Sequence, residues 1–320
     1  MPTIFNWSEM LANMPGQPVP QSWLDTQGKG VKAAYIDTGA NLGLPSLRHL
    51  NLAGRKFSTA APTFSPAKLT GQDPVGEAFG VAGNGHGTLY TSMLAGKSPD
   101  PAPADKDLVL GIAPDAEWYI IRATDATGEL TTIKNLLDAF ELCANLGIEI
   151  AITGQCISLS EMQWEGLSQA DLDRVFGLPG VQKMKIFAPL KNRVATDPWT
   201  GITTDNFPSC RPEVFNVAVL PDNFAQLSDE LTALPISYFL SGFSGIVLSK
   251  FGTCLSLRFS NSAAVTVAGG IAVLALSHLK ETGGIVPASK NAFAQMLNQQ
   301  FRDIGDAFGQ FNKPAIFFNA

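Results

Sequence analysis

Two short stretches carry the residues with the strongest chemical potential. The first is Asp37 in Ile36-Asp37-Thr38-Gly39, directly after the apolar run Val31–Ile36. A carboxylate at the end of a buried strand can cap a turn, and Asp-Thr-Gly is a common turn sequence. It can also orient a histidine. The second stretch is Gly85-His86-Gly87-Thr88, where glycines on both sides let the backbone bend and approach a ligand. The chain has only three histidines, so a mechanism that needs an imidazole base has three candidates. His49 and His278 lack a glycine frame. His278 lies near the end of an apolar run, where a helix dipole favours a cation.

These residues need elements to hold them. Val31–Ile36, Trp118–Ala123, Gly147–Thr153, Lys185–Ala188 and Val214–Leu220 are short apolar runs that predict strands. His86–Leu94, Thr131–Leu146, Asp171–Phe176 and Ala263–Leu279 have helical spacing, and Asn291–Ile304 predicts a helix in the tail. Residues 56–84, 97–107 and 221–236 read as loops. Strands alternating with helices predict a three-layer α/β fold, a mostly parallel twisted sheet with helices on both faces. With no mid-chain linker or repeat, one domain over 1–320 is expected. It would carry an N-terminal extension at 1–25 and a C-terminal tail at 281–320 packed on it. In such sheets the chemistry gathers at the carboxyl edge, where Asp37, the Gly154-Gln155-Cys156 turn and Asn192 each follow a strand.

Composition narrows the function classes. Only 16% of the 320 residues are charged while 45% are hydrophobic, the reverse of a disordered chain. Net charge is -6 and no Lys/Arg cluster occurs, which argues against a nucleic-acid partner. No G-x-G-x-x-G or Walker sequence follows a strand, which argues against a nucleotide site. None of the four cysteines forms a C-x-x-C pair, so buried free thiols are expected. The apolar stretch Ala263–Leu276 is short of the ~20 residues that span a bilayer and reads as a core helix, so no membrane contact is expected. No basic n-region with an apolar run opens the chain, and a cytoplasmic location is expected.

Asp37-Thr38-Gly39 followed by Gly85-His86-Gly87-Thr88 resembles the subtilisin family of serine peptidases. Gly111-Ile112-Ala113-Pro114, Gly147–Ile152, Phe207-Pro208 with Val214–Val219, and Val267-Ala268-Gly269 are similar to further family segments, from about residue 20 to 280. The resemblance implies acyl transfer by an Asp-His-Ser triad. Asp37 would orient the imidazole, His86 would be the general base, and Asn192 would supply an oxyanion donor. Gly154, Gln155 and Cys156 would lie along an extended peptide or protein substrate.

The nucleophile has two registers. Aligned backwards from Val267-Ala268-Gly269, the family serine falls on Asn261, which gives a non-catalytic relative that binds a peptide or partner protein. Aligned from Ser262-Ala263-Ala264, it falls on Ser262, with one residue deleted in the first helical turn. Ser262 is the candidate nucleophile, and a helix-cap hydroxyl is its alternative role. Other departures are Lys191 before Asn192 and Ser46 where the family often places a calcium-binding aspartate. No cofactor is expected; calcium binding stays open, with a lone hydroxyl, Ser46, at the usual acidic ligand position. The same triad could pass the acyl group to an amine, as a transpeptidase or macrocyclase does.

Overall fold

The computed structural model describes residues 2–13, 18–52, 54–59, 85–124, 131–190, 205–220, 238–241, 244–258, 260–298, 302–303 and 314–316. In chain order the strands are β1 (Ile4–Asn6), β2 (Lys32–Asp37), β3 (Lys56–Ser58), β4 (Leu108–Leu110), β5 (Glu117–Arg122), β6 (Ile150–Thr153), β7 (Ile157–Ser158), β8 (Lys185–Pro189), β9 (Asn206–Phe207), β10 (Val214–Leu220), β11 (Tyr238–Ser241), β12 (Ser244–Leu248), β13 (Cys254–Arg258), β14 (Arg302–Asp303) and β15 (Pro314–Ile316). The helices are α1 (Trp7–Ala12), α2 (Gln21–Leu24), α3 (His86–Ala95), α4 (Ile133–Leu146), α5 (Gln169–Phe176), α6 (Pro179–Lys183), α7 (Asn261–Glu281) and α8 (Lys290–Asn298).

Nine strands make the central sheet, in the order β14-β15-β11-β10-β8-β6-β2-β5-β3. All neighbours are parallel except β14 and β15. The chain starts the sheet in the middle, at β2. It adds β3 and β5 on one side and then β6, β8, β10 and β11 on the other. The order therefore reverses at β2, and the crevice beyond its carboxyl end is where such sheets bind ligands. Asp37 is the last residue of β2.

Alternation along β2 separates the two cores. Ala33 and Tyr35 join the cluster with Met93 of α3 and Val265 of α7, while Ala34 and Ile36 join the one with Leu136 and Phe140 of α4. The sheet is thus covered on both faces, as its near-continuous apolar strands require. Helix α7 is apolar on all sides and lies inside the protein, packed on β6, β8 and β10. By length and composition it could cross a membrane, but 89% of its apolar window is buried in the fold. A helix that is hydrophobic all round belongs in a core when it is enclosed like this.

Three expectations change. The tail helix stops at Asn298, and Arg302–Asp303 is extended because it pairs antiparallel with Pro314–Ala315. The strand expected from Gly147 begins at Ile150, because Gly147 (φ 68°) closes α4 by accepting the left-handed conformation of a helix C-terminus. The N-terminal residues are more than an extension. β1 pairs in parallel with β4, and Trp7 is fully buried, its indole N–H donating to the Ile246 carbonyl at 2.9 Å. Residues 97–107 contain no helix or strand, as expected for a loop. Most of 56–84 and all of 221–236 lie outside the described residues, although 56–58 form β3.

Candidate active site

The turn after β2 and the start of α3 are held against each other, backbone to backbone. A Cβ on Gly87 would overlap the Gly39 carbonyl oxygen, so only glycine permits this approach. Two threonines bind across the junction. The Gly87 N–H donates to Thr38 Oγ1 at 2.9 Å, and the Asn41 N–H donates to Thr88 Oγ1 at 2.9 Å. Gly85, at φ 82°, turns the chain into α3 so that His86 is its first residue.

That junction brings Asp37 and His86 together. His86 Nδ1 lies 2.8 Å from Asp37 Oδ1 and 2.9 Å from Oδ2. Asp37 is 1% exposed, whereas the His86 side chain is 36% exposed, so the pair has a dry end and an open end. Three more donors reach the carboxylate. They are the Tyr35 hydroxyl (2.6 Å to Oδ2), the Thr38 N–H (2.6 Å to Oδ1) and Gln155 Nε2 (3.0 Å to Oδ1). Burial pushes the Asp37 carboxyl upward. The His86 charge and the hydrogen bonds from His86, Tyr35 and Thr38 outweigh that, and hold it below its ordinary value. Asp37 is therefore an anion fixed behind an imidazole whose Nδ1 it occupies.

Ser262 is the second residue of α7 and is buried. Among the described residues its hydroxyl has one partner, the Gly154 carbonyl at 3.3 Å. Gly154 follows β6, and a Cβ there would overlap Asp37 Oδ2, so Ser262, Gly154 and Asp37 converge on one spot. Asn261 is turned elsewhere. Its Oδ1 accepts the Val219 N–H at 2.9 Å and its Nδ2 donates to the Leu190 carbonyl at 3.1 Å. It ties the first turn of α7 to β10 and to the end of β8. Ser260 is the N-cap, accepting the Ala263 N–H at 3.2 Å. Helix geometry leaves the amides of Asn261 and Ser262 without an intrahelical acceptor.

Of the other sequence candidates, Gln155 points its amide at Asp37, and Gly154 and Cys156 sit with it in the turn between β6 and β7. Asn192 lies outside the described residues, two positions after Leu190. Ser46 is fully buried in the turn of 3-10 helix at Pro45–Leu50, its hydroxyl without a partner among the described residues. One neutral hydroxyl is a poor ligand for a hard cation, and among the described residues no three His, Cys, Asp or Glu side chains gather as a metal site.

Sequence reading passed over Tyr35, Tyr90 and Ser260. Tyr90 stands one helical turn after His86, with ring centroids 4.7 Å apart edge to face, and its hydroxyl is 2.9 Å from Ser260 Oγ. Burial pushes the Tyr90 phenol up to about 12, so it stays protonated. The available signal was spacing. Tyr35 is two residues before Asp37 on a strand, and Tyr90 four after His86 on a helix, so each shares a face with its partner.

Residues 28–175 match the model of the subtilase family, a span that includes Asp37, His86 and Gly154 but ends before Ser262. The chain is 30% identical over 109 residues to an intracellular serine protease of Paenibacillus polymyxa, covering 34% of this chain and 28% of that one. It is 29% identical over 124 residues to subtilisin Savinase of Lederbergia lenta, 39% of this chain and 36% of that one. The matched segments thus span about a third or less of these relatives. Among solved structures, a cold-adapted subtilisin-like serine proteinase superposes with a TM-score of 0.57 at 16% identity, over 92% of this chain and 90% of that one. The prenylagaramide maturation protease PagA superposes with a TM-score of 0.60 at 17% identity, over 89% and 87%. The segment that carries Asp37 and His86 is thus similar to the subtilase family, and the chain has a subtilisin-like fold.

Proposed function

We propose that this chain is a serine peptidase that cleaves peptide bonds by acyl transfer, with Asp37, His86 and Ser262 as its triad. The observation that supports it best is the Asp37–His86 pair at 2.8 Å, buried behind and open in front. The donors around Asp37 compensate its burial and keep it an anion, and an anion behind a half-open imidazole suits that ring to act as a base. In this reading Ser262 leaves the Gly154 carbonyl by a rotamer change and gives its proton to His86 Nε2. Its oxygen attacks the peptide carbonyl, and the amides at the start of α7, with Asn192, take up the oxyanion charge. His86 then returns the proton to the leaving amine, and water repeats the cycle on the acyl-enzyme. The substrate is a peptide or protein chain, extended past Gly154-Gln155-Cys156. The name of the Paenibacillus relative supports a location inside the cell.

A second reading rests on a different observation. The Ser262 hydroxyl is bound to Gly154 and not to His86, and Asn261 holds the position that an ungapped alignment gives the serine. A non-catalytic relative would keep the cleft and bind a peptide or partner protein without cutting it. Transfer of the acyl group to an amine is a variant of the first reading, decided by water exclusion.

A fluorogenic peptide library tests these readings. The peptidase reading expects cleavage that His86→Ala abolishes. Saturable peptide binding by folded protein, with no product, would favour the second reading.

A further inference from the structure

The Asp37 carboxylate is more fully occupied than one histidine requires. Tyr35 is 1% exposed, and its hydroxyl donates to Oδ2, while Thr38 N–H and Gln155 Nε2 donate to Oδ1. With His86 Nδ1 on both oxygens, four donors meet a group with about four lone-pair sites. Space is reserved for this arrangement at Gly154. A Cβ there would overlap Oδ2 and lie 2.7 Å from the Tyr35 oxygen. A buried phenol, a side-chain amide and a missing side chain thus surround one carboxylate.

We infer that Tyr35 and Gln155 are positioning residues that draw negative charge away from the His86 edge of Asp37, and so keep the imidazole neutral and able to accept a proton at lower pH. The inference rests on the reading of His86 as the base. Each hydrogen bond to a carboxylate stabilises its charge and weakens it as a partner for another cation. Asp37 stabilises imidazolium less when Tyr35 and Gln155 share its lone pairs. Imidazolium then gives up its proton more easily, and neutral imidazole is the form that can take the serine proton.

The Tyr35 proton stays on Tyr35. Burial comes first among the causes that lift this phenol well above its ordinary value, and the adjacent Asp37 charge adds to it. Among the described residues, Tyr35 from its own strand and His86 and Tyr90 from α3 are titratable groups that bear on Asp37. Helix α7 contributes hydroxyls, Ser262 at Gly154 and Thr266 beside Tyr35, and the turn after β6 contributes the Gln155 amide. Both phenols stay neutral through the range in which histidine titrates.

The test follows the titration of His86 by NMR in the full chain carrying ring-labelled histidine, where there are three signals to assign. Tyr35→Phe keeps the ring and removes the donor. The expected result is a His86 midpoint raised by about half a pH unit, a fraction of the one-to-three-unit effect of a close charged partner. Gln155→Leu moves it the same way by less, its bond being longer. The acid limb of the peptidase rate moves with the midpoint. An unchanged or lowered midpoint in folded Tyr35→Phe overturns the inference. Should that variant not fold, Gln155→Leu decides by the same criterion. The midpoint is read without turnover, so an inactive wild type would defeat the peptidase reading and leave this result standing.

Discussion

The Asn261 side chain accepts the Val219 N–H at 2.9 Å, inside the fold. Its amide also donates to the Leu190 carbonyl. The residue that an ungapped alignment puts in place of the family serine is a structural tie. Asn261→Ala leaves two buried backbone groups unpaired, each at about 1–3 kcal/mol. The expected loss is roughly 2–6 kcal/mol in a urea unfolding curve. Ser262→Ala removes one bond of 3.3 Å and is expected to cost under about 1 kcal/mol. Equal losses would mean that Asn261 is not the tie described.

Gly87→Ala tests the junction that builds the pair. The added Cβ meets the Gly39 carbonyl, which is backbone and cannot swing aside. The turn after β2 and the start of α3 must separate. A loss of about 2 kcal/mol or more is expected, within the range for overpacking. The histidine signals should also show His86 released from Asp37. An unchanged melting temperature with His86 undisturbed would rule out the close approach.

Acid stability follows from Asp37. Its carboxyl is held below the ordinary 3.8 by its partners against the effect of burial. The unfolded chain therefore binds more protons than the native one near that value, and stability rises with pH there. The contribution is complete above the unfolded value and fades as pH falls through the lower, folded one. Asp37→Asn should flatten the acid limb of a plot of urea midpoint against pH. A limb as steep as in the wild type would locate the acid sensitivity in other carboxylates.

Glu165 offers a separate check on the scaffold. Its carboxylate accepts the Ile133 and Lys134 N–H groups at 2.8 and 2.9 Å, capping α4 across 32 residues of sequence. Glu165→Ala should cost about 1 kcal/mol, as the loss of a helix cap does, with little change in activity. A change in activity out of proportion to stability would link this cap to the cleft.

The sheet was legible because buried parallel strands are nearly continuous apolar runs, and β2, β5, β8 and β10 each stand out as one. Asp37 and His86 were legible because glycines mark the two turns that must touch. Other parts depended on tertiary pairing. Arg302–Asp303 continues a helical pattern in sequence and becomes a strand only because Pro314–Ile316 lies beside it. Asn261 and Ser262 differ by one position, and sequence alone left open which of them takes the place of the family serine. The partners that separate them, Val219, Leu190 and Gly154, lie 42, 71 and 108 residues away. Tyr35 sat in plain view on the Asp37 face of β2, but only the fold shows its hydroxyl meeting that carboxylate.

In the proposed peptidase mechanism Ser262, activated by His86, is the nucleophile. Intact-mass analysis after exposure to a fluorophosphonate tests it most directly. One adduct is expected on the wild type, mapped to Ser262 and lost in both Ser262→Ala and His86→Ala. No adduct on folded wild-type protein, or an adduct that survives Ser262→Ala, would contradict it.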